Sequence, residues 1–202
     1  MFLIYITITE LGCVFMKTEL GCKNCLYPLP TTLVGANVKG KPNFITIANV
    51  GIVNPQAVTL GVNKIHYTNT GIKENGTFSV NIPSEKLVKE TDYCGLVSGK
   101  AIDKSKLFKI FYGKLETAPM IEECPVTMEC KLIKTIDFPN HDLFVGEVIA
   151  TYCDESVIKD GEVDMDKVQP ILFIMHDHGY YKLGAQFANA WSVGKELKDD
   201  EK

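Results

Sequence analysis

The stretch from Asn43 to Thr70, NFITIANVGIVNPQAVTLGVNKIHYTNT, predicts two neighbouring strands and the start of a helix. Apolar residues alternate with small polar ones over Phe44–Val50, and a second apolar run over Ala57–Val62 follows an Asn-Pro turn signal. The second strand leads directly into a dense polar segment, after which Thr68–Glu74 has helical character. Two adjacent strands that end in hydroxyls, amides, a lysine and a histidine form a candidate cradle for an anion or a cofactor.

On both sides of this stretch the chain consists mainly of short strand candidates separated by turn signals. One helix candidate opens at Ser84 and ends at Gly95 or Gly99. In the candidate Val126–Leu132, strict alternation predicts one buried face and one polar face that carries Glu129. No βαβ rhythm and no GxGxxG turn is present, so we predict a mainly β, antiparallel barrel with a few peripheral helices. The other strand candidates and closing segments are Thr31–Val38, Thr77–Ile82, Phe108–Lys114, Leu143–Thr151, Ile171–Met175 and Tyr180–Gly184.

The charge balance excludes some classes of partner. The 202 residues carry 21 basic and 25 acidic side chains, which gives a formal net charge of −4. A weakly acidic chain without a basic block does not favour nucleic acid or an anionic membrane as a partner. Every basic residue is lysine, since the sequence contains no arginine. A bound phosphate must therefore be held by lysine, hydroxyl groups and backbone N–H groups, without a bidentate guanidinium.

The seven cysteines are an odd number without the spacing of a disulfide framework, which indicates reduced thiols and a cytoplasmic location. Cys22 and Cys25 form a lone CxxC pair, for which zinc or dithiol chemistry is one interpretation and two unremarkable thiols are the other. The apolar N-terminal stretch is short and has no lysine before Lys17, so it resembles neither a membrane span nor a signal peptide. We interpret residues 1–25 as an N-terminal extension, with Met16 as a candidate alternative start.

Polar residues at the ends of the first two strands form two candidate binding elements. Thr46, Ala48 and Asn49 combine short side chains, which let a flat ring approach the backbone, with groups that hydrogen-bond to ring carbonyls. The alternative is a β-bulge or an edge strand whose polar side chains face water. The second element precedes a helix, where free N–H groups and the dipole favour phosphate, although a cap within a solvated loop is the alternative. The residues of the second element are Asn63, Lys64, His66, Thr68 and Thr70.

Ser98, Gly99 and Lys100 form a third polar cluster at the end of the predicted helix. Gly99 is also explained as a helix C-cap, which would leave Lys100 as a solvated cation. His176 and His178 suggest a metal site, but no third ligand is apparent and surface histidines are the alternative. No Ser-His-Asp, Walker or HExxH arrangement occurs, so we assign neither a catalytic side chain nor a metal ligand.

Several short motifs follow one another in a set order along the chain. They are Pro28-Leu29-Pro30, Leu33-Val34-Gly35, Gly40-Lys41-Pro42-Asn43, Thr46-Ile47-Ala48-Asn49, Asn54-Pro55, His66-Tyr67-Thr68, Phe78-Ser79-Val80-Asn81-Ile82, Ser98-Gly99-Lys100, Asp103-Lys104 and Tyr180-Tyr181-Lys182-Leu183-Gly184. In this order and spacing, they resemble the flavin reductase-like, FMN-binding split-barrel family, which includes flavoredoxin. The resemblance covers nearly the whole domain, from about Leu26 to about Gly184.

The resemblance implies a split β-barrel homodimer that binds FMN near the subunit interface. It further implies that Thr46–Asn49 border the isoalloxazine ring and that His66–Thr70 and Ser98–Lys100 contact the ribityl chain and the phosphate. Some members of the family place an arginine near the phosphate. Since this chain has no arginine, Lys64 or Lys100 would have to take its place.

Three functions are open from the sequence. The first is an FMN-dependent oxidoreductase of the flavin reductase type, which passes electrons from NADH or NADPH through FMN to a flavin, a metal or a protein. The second is a flavoredoxin-like FMN carrier that exchanges electrons with a redox protein partner and has no nicotinamide site. The third is a ligand-binding barrel without flavin. The main domain is predicted to span residues 26–190, with a charged C-terminal tail over residues 191–202.

Overall fold

The computed structural model describes residues 4–8 and 14–198, in which strands are more common than helices. The helices are α1 (Tyr67–Asn75), α2 (Val88–Leu96) and α3 (Met165–Val168), and 3-10 turns cover Glu85–Leu87, Lys104–Leu107, Glu155–Val157 and Val193–Lys198. The strands are β1 (Ile4–Ile8), β2 (Val14–Thr18), β3 (Leu29–Pro30), β4 (Thr32–Val38), β5 (Lys41–Ile47), β6 (Val50–Asn54), β7 (Ala57–Asn63), β8 (Thr77–Ile82), β9 (Ile110–Phe111), β10 (Met120–Ile121), β11 (Val126–Asp137), β12 (His141–Cys153), β13 (Ile158–Lys159), β14 (Glu162–Val163), β15 (Leu172–Ile174) and β16 (Gly179–Tyr181). The prediction of a mainly β fold with a few helices is confirmed.

Seven strands form one antiparallel sheet in the order β5–β4–β8–β11–β12–β7–β6. Its longest pairing is the hairpin of β11 and β12, which runs from the pair Val126–Cys153 to the pair Asp137–Asp142. The exit of β5 returns to β7, where the Gly61 N–H donates to the Asn49 carbonyl at 2.7 Å. This contact closes the sheet into a barrel, with β6 outside the closure as an exposed edge strand.

Apolar side chains fill the interior of this barrel. Phe78 and Phe144 are fully buried there, and Ile72 joins them from α1. Gly146 on β12 makes room for the Phe78 ring, because a Cβ atom at Gly146 would lie 2.3 Å from Phe78 Cζ. The interior of the barrel is therefore packed with side chains.

Two predicted boundaries in the first half of the chain are wrong. The predicted strand Phe44–Val50 is interrupted, because the Val50 N–H donates to the Ala48 carbonyl at 2.9 Å and the chain turns there. Residues 50–54 then form the separate strand β6. The helix that follows Ser84 begins as a 3-10 turn without a side-chain cap and ends at Leu96, so Gly99 is not its C-cap.

Glu129 is fully buried, whereas the alternation of its strand predicts a polar face at this position. Its Oε1 accepts hydrogen bonds from Lys114 N at 2.9 Å and from the Tyr152 hydroxyl at 2.8 Å. Its Oε2 accepts one from Leu115 N at 2.6 Å. These bonds hold the segment after β9 across this face of the sheet. Only β9, two residues of the predicted strand Phe108–Lys114, is therefore in a strand.

Smaller sheets lie outside the barrel. β1 and β2 pair with each other within the predicted N-terminal extension, and the hairpin of β15 and β16 pairs with β3. Residues 199–202 of the predicted charged tail lie outside the described residues, and the division of the chain at residues 26 and 190 stays a prediction. Within residues 4–8 and 14–198, no helix has the length and apolar character needed to cross a membrane.

Candidate functional site

A cavity of about 240 Å³, here called the strand cavity, opens where β5 and β7 end and α1 begins. The end of β5 and the following turn contribute Thr46–Asn49, β7 contributes Gly61 and Asn63, and His66 lies just before α1. The small side chains at Ala48 and Gly61 leave room beside the backbone. Half of the residues predicted to bind the cofactor therefore lie in one place. The other lining residues are Thr31, Gly95, His141, Phe173, Met175 and Tyr180.

A buried polar cluster fixes α1 against β12. Asn69 Nδ2 donates to Asp142 Oδ2 at 2.8 Å, and Lys73 Nζ lies 2.7 Å from the same oxygen. Burial raises the pKa of Asp142, but the hydrogen bonds from Lys73 and Asn69 outweigh it, so the pKa is lowered and the carboxylate stays charged. His141 is next to Asp142 in the sequence, and His66 lies three residues before Asn69. The cluster therefore holds the imidazoles of His66 and His141 at the wall of the strand cavity.

The hairpin of β15 and β16 forms another wall of the strand cavity, through Phe173 and Tyr180. The Tyr180 hydroxyl donates to Asp92 Oδ1 at 2.8 Å, which ties the hairpin to α2. A salt bridge of 2.5 Å between Lys182 Nζ and Glu85 Oε2 adds a second tie. Burial and the hydrogen bond to Asp92 raise the pKa of Tyr180 to about 12, so its hydroxyl remains a donor at neutral pH.

A second cavity of about 300 Å³, here called the helix cavity, lies between α1 and the end of α2. It shares His66 and Gly95 with the strand cavity, so the two form one continuous cleft. Asn43 Nδ2 donates to Thr68 Oγ1 at 2.6 Å in its wall, which orients the Thr68 hydroxyl. Ser98 adds a further hydroxyl, so the helix cavity is the more polar end of the cleft.

Lys104 supplies a buried positive charge to the helix cavity. Its side chain is 2% exposed, and its Nζ donates to the carbonyls of Cys94 at 3.0 Å and Val97 at 3.1 Å. Burial lowers the pKa of Lys104 because the charged form is less solvated there. An ammonium group has three donors, and the two carbonyls take two of them. The third can serve an anion in the helix cavity.

The remaining predicted residues are distributed unevenly around this cleft. Thr68, Ser98 and Gly99 line the helix cavity, and Lys100 lines an adjoining outer cavity of about 300 Å³. Lys64 is not in the cleft lining, and its Nζ lies 2.5 Å from Asp137 Oδ1. Thr70 is exposed on the outer side of α1. The structure thus brings ten of the twelve predicted residues to three connected cavities, and leaves Lys64 and Thr70 outside them.

Gly99 has a steric role that differs from the predicted C-cap. A Cβ atom at this position would lie 2.0 Å from Asn43 Oδ1 and 2.9 Å from Tyr67 Cδ1. The backbone after α2 therefore approaches β5 and α1 as closely as a residue without a side chain allows. This approach brings Ser98 and Thr68 to the same cavity.

His66 is disfavoured as a cation. Burial lowers its pKa, and the charges of Lys104 and His141 lower it further. At neutral pH its imidazole is therefore neutral and can accept or donate a hydrogen bond in the cleft.

This shift predicts how stability depends on pH. As the pH falls below about 6.5, the unfolded chain takes up a proton at His66 before the folded chain does. The free energy of unfolding of the ligand-free protein is therefore expected to fall as the pH is lowered from about 7.5 to about 5.5. His66→Gln should reduce this slope, while the exposed control His178→Asn should keep it. Urea unfolding at several pH values measures it, and equal slopes in all three proteins would contradict the prediction.

Some residues of the cleft were not assigned from the sequence. Lys104 belongs to the Asp103-Lys104 motif, but its sequence position does not reveal that it is buried beneath the end of α2. His141 begins β12 and reaches the strand cavity only because that strand pairs with β7 at Asn63. Thr31 precedes β4 and lines the same cavity. The presence of polar or basic residues beside predicted strand ends could have suggested Thr31 and His141 as site residues.

Comparisons with known proteins agree with this architecture. The model of the flavin reductase like domain family matches residues 24–184. Flavoredoxin from Methanosarcina acetivorans superposes with a TM-score of 0.88 and is 48% identical, over 90% of this chain and 98% of that chain. Flavoredoxin of Desulfovibrio vulgaris (Miyazaki F) gives a TM-score of 0.82 and 36% identity, over 89% of this chain and 100% of that one. An uncharacterized protein of Archaeoglobus fulgidus is 33% identical over 156 residues, 75% of this chain and 84% of the relative.

The resemblance stated from the short motifs is therefore confirmed, and so is the split-barrel fold. The family match begins two residues before Leu26 and ends at Gly184, which includes every strand from β3 to β16. With its cleft placed where β5, β7, α1 and α2 meet, the chain belongs to the flavin reductase like domain family.

Proposed function

We propose that this chain binds FMN in the cleft, with the isoalloxazine ring in the strand cavity and the phosphate in the helix cavity, and transfers electrons through it. The observation that carries the proposal is the buried Lys104 ammonium beside the hydroxyls of Thr68 and Ser98. These groups would hold the phosphate in a chain without arginine. The similarity to two flavoredoxins supports the same ligand class.

The residues of the cleft fit such a ligand. The Thr31 hydroxyl is buried at the strand cavity and has no hydrogen-bond partner among the described residues, so it can donate to a ring heteroatom. Asn49 and Asn63 add amides, while Ala48 and Gly61 leave space for a planar ring. Joined through His66 and Gly95, the two cavities reach the range of about 300–1,000 Å³ that is typical of ligand sites.

When bound, FMN supplies reversible transfer of a hydride or of single electrons. The chain's own residues would position and shield it. Lys104 and Thr68 would hold the phosphate, and Phe173 and Tyr180 would restrict water at the ring. The Thr46 hydroxyl already donates to the Thr91 carbonyl, so toward the ring it can act only as an acceptor.

Of the FMN-dependent functions, the flavoredoxin-like carrier is favoured by the 48% identity to a flavoredoxin over nearly the full length of both chains. Such a carrier would exchange electrons with a redox protein partner. An oxidoreductase that takes electrons from NADH or NADPH is the second candidate, since the family model describes flavin reductase like domains. Both share the same FMN site and differ only in the electron donor.

The FMN site is tested by titrating the purified chain with FMN and following the quenching of flavin fluorescence. We expect saturable binding of one FMN per chain. A chain that stays colourless and leaves FMN fluorescence unchanged would contradict the proposal and favour the barrel without flavin.

The electron donor is tested on the loaded protein under anaerobic conditions. For the carrier, dithionite should bleach the flavin absorbance fully, whereas NADH and NADPH should bleach it only slowly. Rapid bleaching by either nucleotide would assign the oxidoreductase instead.

We further propose a homodimer with the FMN near its interface. The edge strand β6 supports this, because Ile52 is 86% exposed and Val53 is 54% exposed on it. An exposed apolar edge strand tends to associate with another chain unless it is covered. Thr31 lines both the strand cavity and the apolar cavity beneath β6, so a partner at this edge would lie close to the ring.

A further inference from the structure

The segment of residues 185–198, here called the C-terminal arm, extends from the body of the protein without bonding to it. Each hydrogen bond that the arm makes within the described residues joins two arm residues, as in Gln186 Nε2 to Asn189 Oδ1 at 2.7 Å. Among the described residues, the 3-10 turn Val193–Lys198 is also held only by hydrogen bonds between arm residues. The arm is therefore a surface element whose position is not fixed by the chain's own barrel.

The arm exposes large apolar side chains to solvent. Phe187 is 100% exposed and Trp191 is 95% exposed, and Leu197 is 73% exposed. Trp191 also has a φ of 53°, a left-handed conformation that is unfavourable for a bulky residue. Aromatic side chains clustered on one exposed segment mark an interaction surface rather than an ordinary tail.

A receiving surface of matching chemistry lies on the same molecule. An apolar cavity of about 510 Å³ is enclosed between β6, β7 and β15, and most of its lining is aliphatic or methionine, including Ile52, Val58, Leu60 and Met128. Ile52 and Val53 on β6 extend this surface to the exterior. A groove of this size and polarity can accept an aromatic side chain.

The chain reaches the arm at the rim of this cavity. Leu183 lines the apolar cavity and also an adjoining cavity, which Gly184 and Gln186 line together with Asp164. Phe187 and Trp191 are almost fully exposed, so neither side chain occupies the apolar cavity of its own chain. In a two-fold dimer whose apolar cavities face each other, each arm would begin beside the cavity of the other chain.

We propose that the arm of one copy of this chain packs its aromatic residues into the apolar cavity and against β6 of a second copy. This inference rests on the homodimer of the proposed function and is independent of the FMN. The exchange is isologous, since each chain donates one arm and accepts one. It covers the exposed edge strand and the exposed aromatic residues in a single contact.

The chain offers an internal probe, because Trp191 is its only tryptophan. In the dimer, Trp191 fluorescence should be shifted to the blue of free tryptophan, and dilution should shift it to the red as the dimer dissociates. In sedimentation experiments, Phe187→Ser combined with Trp191→Ser should raise the dissociation constant of the dimer at least about tenfold. Lys195→Ser, an exposed substitution on the same arm, is the matched control and should leave the constant unchanged.

Crosslinking then identifies the receiving chain. A photoreactive phenylalanine analogue placed at position 187 in a mixture of light and ¹⁵N-labelled protein should give mixed-isotope crosslinks to Val50–Val58. Crosslinks within one chain only, a red emission that dilution does not change, or a dimer unaffected by the double variant would each overturn the proposal. A dimer with an exposed Trp191 that still binds FMN would leave the proposed function intact. An exchanged arm on a chain that binds no FMN would overturn only the FMN site.

Discussion

Replacing Lys104 by methionine is expected to weaken FMN binding by about 10- to 100-fold. A hydrogen bond to a charged group contributes about 1.5–3 kcal/mol, and each 1.4 kcal/mol is about tenfold in affinity. Methionine keeps the length and much of the volume of the lysine stem, so the helix cavity should keep its shape. What is lost is the buried ammonium that lies between the Cys94 and Val97 carbonyls and the cavity.

The comparison of FMN with riboflavin isolates the phosphate. Riboflavin has the same ring and ribityl chain but no phosphate, so Lys104→Met should weaken FMN binding while leaving riboflavin binding nearly unchanged. Lys106→Met, an exposed lysine in the same 3-10 turn, is the matched control. Fluorescence titration with both ligands measures the effect. If Lys100→Met abolishes the preference for FMN and Lys104→Met does not, the phosphate site lies in the outer cavity instead.

Replacing Glu129 by alanine is expected to lower the free energy of unfolding by about 2–4 kcal/mol, because three hydrogen bonds to a buried carboxylate are lost together. Three donors lose their acceptor together, namely Lys114 N, Leu115 N and the Tyr152 hydroxyl. These donors are partly buried, so water replaces the carboxylate only in part, and the missing side chain also leaves a void at the buried position of Glu129. The segment after β9 then has less to hold it against β11.

Urea unfolding of the wild type and of three variants measures this effect. Glu129→Gln should be intermediate, because its amide keeps one accepting oxygen but turns an N–H toward a backbone donor. Glu147→Ala, an exposed glutamate on the facing strand β12, should change the free energy of unfolding by less than about 0.5 kcal/mol. A loss at Glu129→Ala no larger than at Glu147→Ala would show that the buried carboxylate does not hold the segment.

The parts of the fold that depend on local pattern could be predicted from the sequence. Alternation and turn residues located β4, β7, β8 and the hairpin of β11 and β12, and the polar run after β7 located the start of α1. The break after Ile47 could not be predicted in this way. Asn and, to a lesser degree, Ala are uncommon in strands, but neither fixes where a strand ends, and the turn there is held by the hydrogen bond between Asn49 and Gly61 of another strand.

In the site, too, the sequence predicts what depends on neighbouring residues and not what depends on contacts between distant ones. Thr46–Asn49, Asn63 and His66 reach one cavity because strand ends and a helix start lie close in sequence. Within the polar run, however, the direction of each side chain is set by the helix, which buries Thr68 and exposes Thr70. Lys104 is buried beneath the end of α2 and Glu129 beneath the segment after β9, and the sequence pattern reveals neither arrangement.

The cleft attracts anions in two physically different ways. At the start of α1 the attraction comes from the peptide groups themselves, and no side-chain substitution at the surface removes it. The end of α2 presents carbonyl oxygens, which by themselves repel an anion. The Lys104 ammonium, which binds two of these oxygens, places a positive charge there instead. The electrostatics at the α2 side of the helix cavity therefore depend on one side chain, and without the Lys104 charge only the peptide groups at the start of α1 would attract an anion there.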